Sequence, residues 1–410
     1  MTESTPGKQA EGSIVRWPSL PYALIFFSCL FFFQPVIAMV ALTVFCLLSE
    51  RSSLLLPFVL VAMLSIYLGL LNLVKLPESD QVVYLEWLAL AREQGFIEFM
   101  AISPKEPGFC LYMYLLANVP WSGDGFFIFV STVLPYGIVL TALARFGGRL
   151  NLPTHAIVGA LILMAFFPVL FNNSAHLMRQ FLAGAFIAWF YVDDTLGSKS
   201  RWWILLLAIS FHTTAIVFLP LAVAGSIRKC SPGILLTIAL FFLSSIFILL
   251  KFAKPFMTSI PYLGDIFQRA IYGVYFEHAS LGVAPLLLLF AAFSFSLYKL
   301  YVAIRSRQIG TRMAAYNLFI TTFFLSLFIG WAHITGETML ATRFLLYICF
   351  LTGPLLLLAL VDAPYKKVFT GAALVTMPIY FVYTVVNGVW AYGNYGIWTS
   401  FATLLYDIYS

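Results

Sequence analysis

Charge is what this sequence has least of. Only 10% of its 410 residues are Asp, Glu, Lys or Arg, against about 25% in ordinary soluble domains. A water-soluble chain of this length could not cover its surface with so few charges. Long polar stretches are also missing, because apolar runs able to cross ~30 Å of hydrocarbon recur from residue 19 to residue 387. No separate soluble domain is therefore expected. Cysteine is sparse: Cys29, Cys46, Cys110, Cys230 and Cys349 show no metal spacing and read as thiols that pack like small hydrophobes. CxxC, HExxH and a glycine-rich phosphate loop are absent from the sequence. Metal and nucleotide enzymes of the usual kinds thus gain no support, and no cofactor and no metal is expected.

What remains is a hydrophobic fraction of 62%, of which aromatics make up a large part. The reading is an all-α polytopic integral membrane protein of about 11–13 transmembrane helices, with re-entrant or interfacial helices. Residues 1–16, MTESTPGKQAEGSIVR, carry no charged start or cleavage site and read as a disordered cytoplasmic tail. Residues 17–410 then form one membrane domain. The net charge of +6 is spread over short loops, which does not suit nucleic acid. It suits orientation, since Lys and Arg accumulate on the cytoplasmic side.

Fifteen of the twenty-three basic residues fall at Lys8/Arg16, Arg51, Arg145/Arg149, Lys199/Arg201, Arg228/Lys229, Lys299 to Arg312, and Lys366/Lys367. Placing these inside puts 75–106, 172–175, 253–279, 334–340 and the tail from 388 outside. Two stretches then break parity. Residues 202–226 have one helix's length but basic clusters at both ends, which predicts two half-length segments meeting at Phe211-His212-Thr213. Residues 107–120, bounded by Pro107 and Pro120, are too short to span and suit a re-entrant helix. Irregular backbone at membrane depth needs protein or water around it, so both point to a hydrated cavity near the outer face. Residues 17–49 form either two short spans bending at Gln34-Pro35 or one long kinked helix.

The outer loop 75–106 holds six of the seventeen acidic residues. Val82, Leu85, Leu88, Ala89 and Phe96 recur near helical spacing there and predict an amphipathic surface helix over 81–99. Most of its charges read as a solvated face. Asp80 and Lys105-Glu106-Pro107-Gly108 differ because they sit where chain meets membrane, with Pro107 suited to a first helical position. In Asn172 to Gln180, Asn and Ser are good caps, which predicts a helix starting near Ala175 with His176, Arg179 and Gln180 on one face. A helix N-terminus plus the guanidinium fork of Arg179 would suit a phosphate or diphosphate. Arg343 enters a span in the same way, with either a buried pairing to Glu337 or an anion-binding role open to it. Arg269, near Tyr272 and His278, is a third outer arginine. His212 gains interest from its place at the predicted break.

Taken in order, Asp80…Tyr84, Lys105-Glu106-Pro107-Gly108-Phe109, Arg179-Gln180 and Phe211-His212-Thr213-Thr214-Ala215 resemble the EpsG family, one of the Wzy-type polymerases of bacterial exopolysaccharide, capsule and O-antigen synthesis. The motifs cover roughly residues 54–225. The resemblance implies a multi-pass protein of the bacterial cytoplasmic (inner) membrane with its active site facing the periplasm or exterior, with a GT-C-like arrangement as one option. It would move a glycan from one polyprenyl diphosphate carrier to a sugar hydroxyl on another. The partners implied are polyprenyl-diphosphate-linked oligosaccharide and membrane lipid, with a chain-length regulator and a flippase as further candidates. Glu106, Asp80, His176 and His212 are the candidate catalytic groups. Arg179, Gln180, Arg343, Arg269, Lys105 and Tyr84 are the candidates for holding diphosphate or glycan. Trp390, Tyr392, Tyr395 and Trp398 suit an interfacial belt or sugar stacking. The rivals are a flippase or transporter, a single-sugar transferase using a polyprenyl phosphate, and an O-acyltransferase built on His212 or His333.

Overall fold

The computed structural model describes residues 20–48, 55–76, 80–102, 106–120, 123–197, 201–226, 281–305, 315–334, 336–362, 366–386 and 399–401. The tail 1–16, Lys105, the segment 253–279 with Arg269, and the aromatics of 390–398 lie outside them. The described chain is helical throughout: α1 (Leu20–Phe33), α2 (Pro35–Leu48), α3 (Leu55–Leu73), α4 (Asp80–Glu93), α5 (Phe96–Ile102), α6 (Pro107–Ala117), α7 (Asp124–Arg149), α8 (Thr154–Ala165), α9 (Pro168–His176), α10 (Met178–Thr195), α11 (Trp202–Phe211), a 3₁₀ turn (Thr213–Val217), α12 (Phe218–Ser226), α13 (Val283–Arg305), α14 (Tyr316–Ile334), α15 (Thr338–Asp362) and α16 (Lys366–Val386). The all-α polytopic reading holds.

Five of these helices are individually long and apolar enough to cross a membrane, and α8 with α9 makes a sixth candidate bent by 48°. Much of the remaining apolar chain is in helices of 10–17 residues. A 14-residue helix spans only about 21 Å, so such helices cross in pieces or stop part-way. The N-terminus shows why. Pro35 begins α2 directly after α1, and Phe27 and Phe45 pack with ring centroids 5.5 Å apart. In one straight helix those two residues would be about 27 Å apart, so the chain doubles back at Gln34-Pro35. Of the two alternatives, the bend at this dipeptide is the one found.

Lipid offers apolar groups no incentive to hide, so helices in it associate by close packing. α3 and α7 run antiparallel, with a Cβ at Gly69 lying only 2.6 Å from the Val133 side chain. α10 sits against both α7 and α15, and Phe181 wedges between Tyr136 at 5.1 Å and Phe350 at 4.9 Å. Gly184 lets the Phe350 ring approach the α10 backbone where any Cβ would clash. Polar contacts pin the same bundle. Asn72 donates to Thr132 at 2.9 Å and to Ser174 at 2.7 Å. Asn317 donates to Asp194 at 2.7 Å, and Thr321 to Tyr191 at 2.8 Å.

The surface helix expected over 81–99 is two helices. α4 ends at Glu93 and α5 starts at Phe96, with Gly95 between them. The inward stripe of α4 is Gln81, Tyr84, Leu88 and Ala91, while Val82, Ala89 and Phe96 are exposed. The stripe turned inward is thus set by Tyr84 and its partners below, and not by the most apolar positions.

Candidate active site

One end of the bundle gathers most of the residues singled out above. Two chain breaks build it. α11 stops at Phe211, where His212 swings into extended backbone (φ −154°, ψ 123°) before the 3₁₀ turn. This is the half-length break expected within 202–226. The second break lies at Leu177 (φ −108°, ψ 43°), which separates α9 from α10. The helix start expected near Ala175 is therefore displaced. Asn172, Asn173 and Ser174 fall in the last turns of α9, where Asn173 and Ser174 bond back to the carbonyls of Val169 and Phe171. Caps and such back-bonding use the same side chains, and Pro168 starts α9 early enough for the second use to win. As a result His176 ends one helix while Arg179 and Gln180 open the next, and they do not share one helix face.

Glu106 is the hub. It precedes Pro107 at the start of α6, a helix of 11 residues and so short, as expected for 107–120. Arg179 Nη1 donates to its Oε2 at 2.6 Å, and the Thr213 backbone N–H and hydroxyl donate to its Oε1 at 3.2 and 3.3 Å. Burial alone would raise the Glu106 carboxyl. Arg179 opposes this, helped by His212 and the Thr213 N–H, and the group is held down at about 2 from its ordinary 4.5. The close approach that allows this is set by the neighbouring glycine. A Cβ at Gly108 would lie 2.9 Å from the Ser210 carbonyl carbon, so only Gly lets α6 start against the end of α11.

Arg179 is further braced by Tyr84. Its Nε donates to the phenol oxygen at 3.4 Å, and its guanidinium lies 6.0 Å from the ring centre. Gln180 donates its amide to the Arg343 carbonyl, tying α10 to α15. The Arg343 guanidinium itself, half-buried, has no side-chain hydrogen bond or ion pair to any described residue. It feels the charges of Arg179 and Asp80 and the phenols of Tyr84 and Tyr347. The alternative pairing with Glu337 does not form, because Glu337 stays at the loop and caps the Ala332 carbonyl through its N–H. Asp80, exposed at the first turn of α4, likewise has no ion pair among the described residues.

His212 can be assigned a tautomer. The Thr214 backbone N–H, which can only donate, reaches its Nδ1 at 3.2 Å, so Nδ1 accepts. The Thr214 hydroxyl joins Nδ1 at 2.7 Å and the Tyr347 hydroxyl at 2.7 Å, giving a relay from Tyr347 through Thr214 to the imidazole. The His212 proton therefore sits on Nε2, which acts as a donor. His176 faces elsewhere. Its Nε2 is 2.6 Å from the buried Lys75 ammonium, which can only donate to it.

Sequence reasoning gave no role to Lys75, Thr213, Thr214 and Tyr347, although Thr213 and Thr214 stand in the motif around His212. Thr213 and Thr214 had a signal, since they adjoin the predicted break and free backbone donors there need partners. Tyr347 had none, being one aromatic among many in an apolar span.

These elements, Asp80 and Tyr84, then Glu106 to Phe109, Arg179 and the His212 break, all lie within a region that matches a known family. The model of the EpsG family matches residues 54–396. The chain belongs to the EpsG family. This is a Wzy-like polysaccharide polymerase family, so the chain is a membrane protein of polysaccharide-polymerase type. The match runs well past the motifs at 54–225 and takes in α15, which places Arg343 inside the EpsG region. No curated protein and no solved structure matches this EpsG-family chain.

Proposed function

We propose that this EpsG-family protein polymerises lipid-linked oligosaccharide repeat units at the outer face of the inner membrane, transferring a glycan from a polyprenyl diphosphate to an acceptor sugar hydroxyl. The observation that carries the reading is Arg343, a guanidinium at the polar end of the bundle with no side-chain hydrogen bond or ion pair to any described residue, near a second arginine held by Glu106. Glu106 is bonded to Arg179, and Asp80, whose charge reaches Arg343, forms no ion pair with it, so the Arg343 N–H groups stay open to an anionic group arriving from the membrane.

In this reading Arg343 takes the diphosphate and Arg179 turns its remaining N–H groups to it. Negative charge that grows on the leaving diphosphate at the transition state is thereby stabilised, and the residues themselves supply this without a metal. Glu106 is too firmly ion-paired to accept a proton and serves to aim Arg179. His212 presents Nε2–H as a donor to substrate oxygen. Of the four candidate bases, Asp80 is the one whose carboxylate is uncommitted, and it is assigned the acceptor hydroxyl. The product is a glycan lengthened by one repeat and a free polyprenyl diphosphate.

The test is Arg343→Ala in the native host, with the protein shown to be present. Loss of long polymer and a pile-up of single lipid-linked repeat units on the outer leaflet is expected. Polymer of normal length would overturn the reading. Accumulation in the inner leaflet would point to the transporter, and one-sugar deficits to the single-sugar transferase.

A further inference from the structure

At the end of the bundle away from Glu106, α3 and α7 part to leave a side-facing cavity of about 480 Å³, within the range of small-ligand pockets at roughly 300–1,000 Å³. Phe58, Val61 and Ile66 of α3 line one wall, Leu134 and Ile138 of α7 the other, and Trp189 of α10 the floor. The glycines explain the opening. At Gly69 the two helices touch, but a Cβ at Gly137 would meet nothing nearer than the Ser65 hydroxyl at 4.0 Å. The wall is mostly apolar, with Ser65 and Thr141 its polar residues before Arg145 closes the lining at its far end.

Arg145 is part of a triad. Its Nη2 lies 3.3 Å from Asp193 Oδ1, and Arg201 Nη1 lies 3.4 Å from Oδ2 of the same carboxylate. Asp193 is buried, with its side chain 3% exposed, whereas the arginines keep 37% and 45% of their side-chain surface. Two cations share one anion, so the group carries a net positive charge. Arg149, one turn beyond Arg145 and exposed, adds to it. The adjoining Asp194 accepts a hydrogen bond from Asn317 and keeps its charge, so Arg145, Arg149 and Arg201 against Asp193 and Asp194 leave this end one net positive charge.

We propose that this cavity is a binding site for an anionic phospholipid of the arginine-rich leaflet, with one acyl chain between α3 and α7 and the phosphate on Arg145 and Arg201. A slot this apolar is not held by water, and chain plus phosphate matches the apolar wall plus charged end. The polyprenyl tail of a substrate is the lesser fit. Arg145 stands about 20 Å along α7 from Thr132, the level of the polar end, so a carrier whose diphosphate sits at Arg343 leaves these arginines unanswered. The site is independent of the transferase reading.

The full chain, purified and exchanged into detergent, is titrated with phosphatidylglycerol, phosphatidylcholine and polyprenyl phosphate, and bound lipid is counted by native mass spectrometry. Phosphatidylglycerol should be retained about tenfold better than either competitor. Arg201→Gln should cut that preference at least fivefold. Gly137→Leu fills the slot from a position with room for a side chain, leaves all three charged residues in place, and should abolish retention. Equal retention of the three lipids, preference for polyprenyl phosphate, or unchanged phosphatidylglycerol binding by Gly137→Leu would each overturn the proposal.

Discussion

Glu106 and Arg179 show how one pair can decide the chemistry open to its neighbours. The carboxylate is 8% exposed and the guanidinium 19%, and removing one partner of a buried pair costs about 3–5 kcal/mol because the other charge is stranded. Glu106→Gln should therefore lower the apparent melting temperature of the purified protein and abolish polymer. Arg179→Lys should keep part of the stability but lose the second N–H needed to reach substrate. The sign of the pH effect follows from the direction of the shift. Because the folded carboxyl sits at about 2 and the ordinary value is 4.5, its contribution to stability is whole above pH 4.5 and fades as pH falls toward 2. Turnover in membranes measured between pH 5 and 8 should show no limb from this group. A limb that vanishes in Glu106→Gln protein still able to turn over would restore Glu106 as the base. At this scale the sequence singled out residues that meet in the structure, but not how they pair. Glu106 and Arg179 both stood out by position, yet nothing in spacing says that a carboxylate 73 residues away will claim the arginine.

Among the elements, the breaks are what builds the candidate site. The break at His212 was legible because two basic clusters flank a stretch too short to cross twice as ordinary helices, a conflict of length and charge that only a bend resolves. The break at Leu177 was not, because Asn and Ser near a helix end serve equally as caps or as partners for the preceding turn's carbonyls. The contact between α6 and α11 rests on Gly108. Gly108→Ala should push Ser210 away, loosen the Glu106–Thr213 contacts and cost about 1–3 kcal/mol, and polymer length measured at equal protein level should fall. Gly371, whose Cβ position is open, provides the control. Gly371→Ala should leave polymer unchanged.

Across the whole molecule, charge is segregated. Arg145, Arg201 and Asp193 meet at one end, while Glu106, Arg179 and Arg343 meet at the other. The first group belongs to the clusters that the positive-inside rule assigned to the cytoplasm. Cysteines placed at Asp80 and at Arg201, in a background without the native thiols, should react with a membrane-impermeant reagent from opposite sides, Asp80→Cys from outside in intact cells. Labelling of both from one side would overturn the orientation. The class was legible here because lipid tolerates few arrangements of backbone. The register between distant helices was not, since apolar spans carry little to tell one neighbour from another.

The hub also bears on how the chain is made. Glu106 finds Arg179 only 73 residues later and the Thr213 amide 107 residues later, so a nascent chain presents the carboxylate long before anything exists to receive it. A lone carboxylate is a poor entrant to hydrocarbon. The segment leading into α6 must therefore wait at the membrane surface during synthesis and sink into place once α10 and α11 have been delivered, which makes the polar end of this protein the last part of its first half to be assembled.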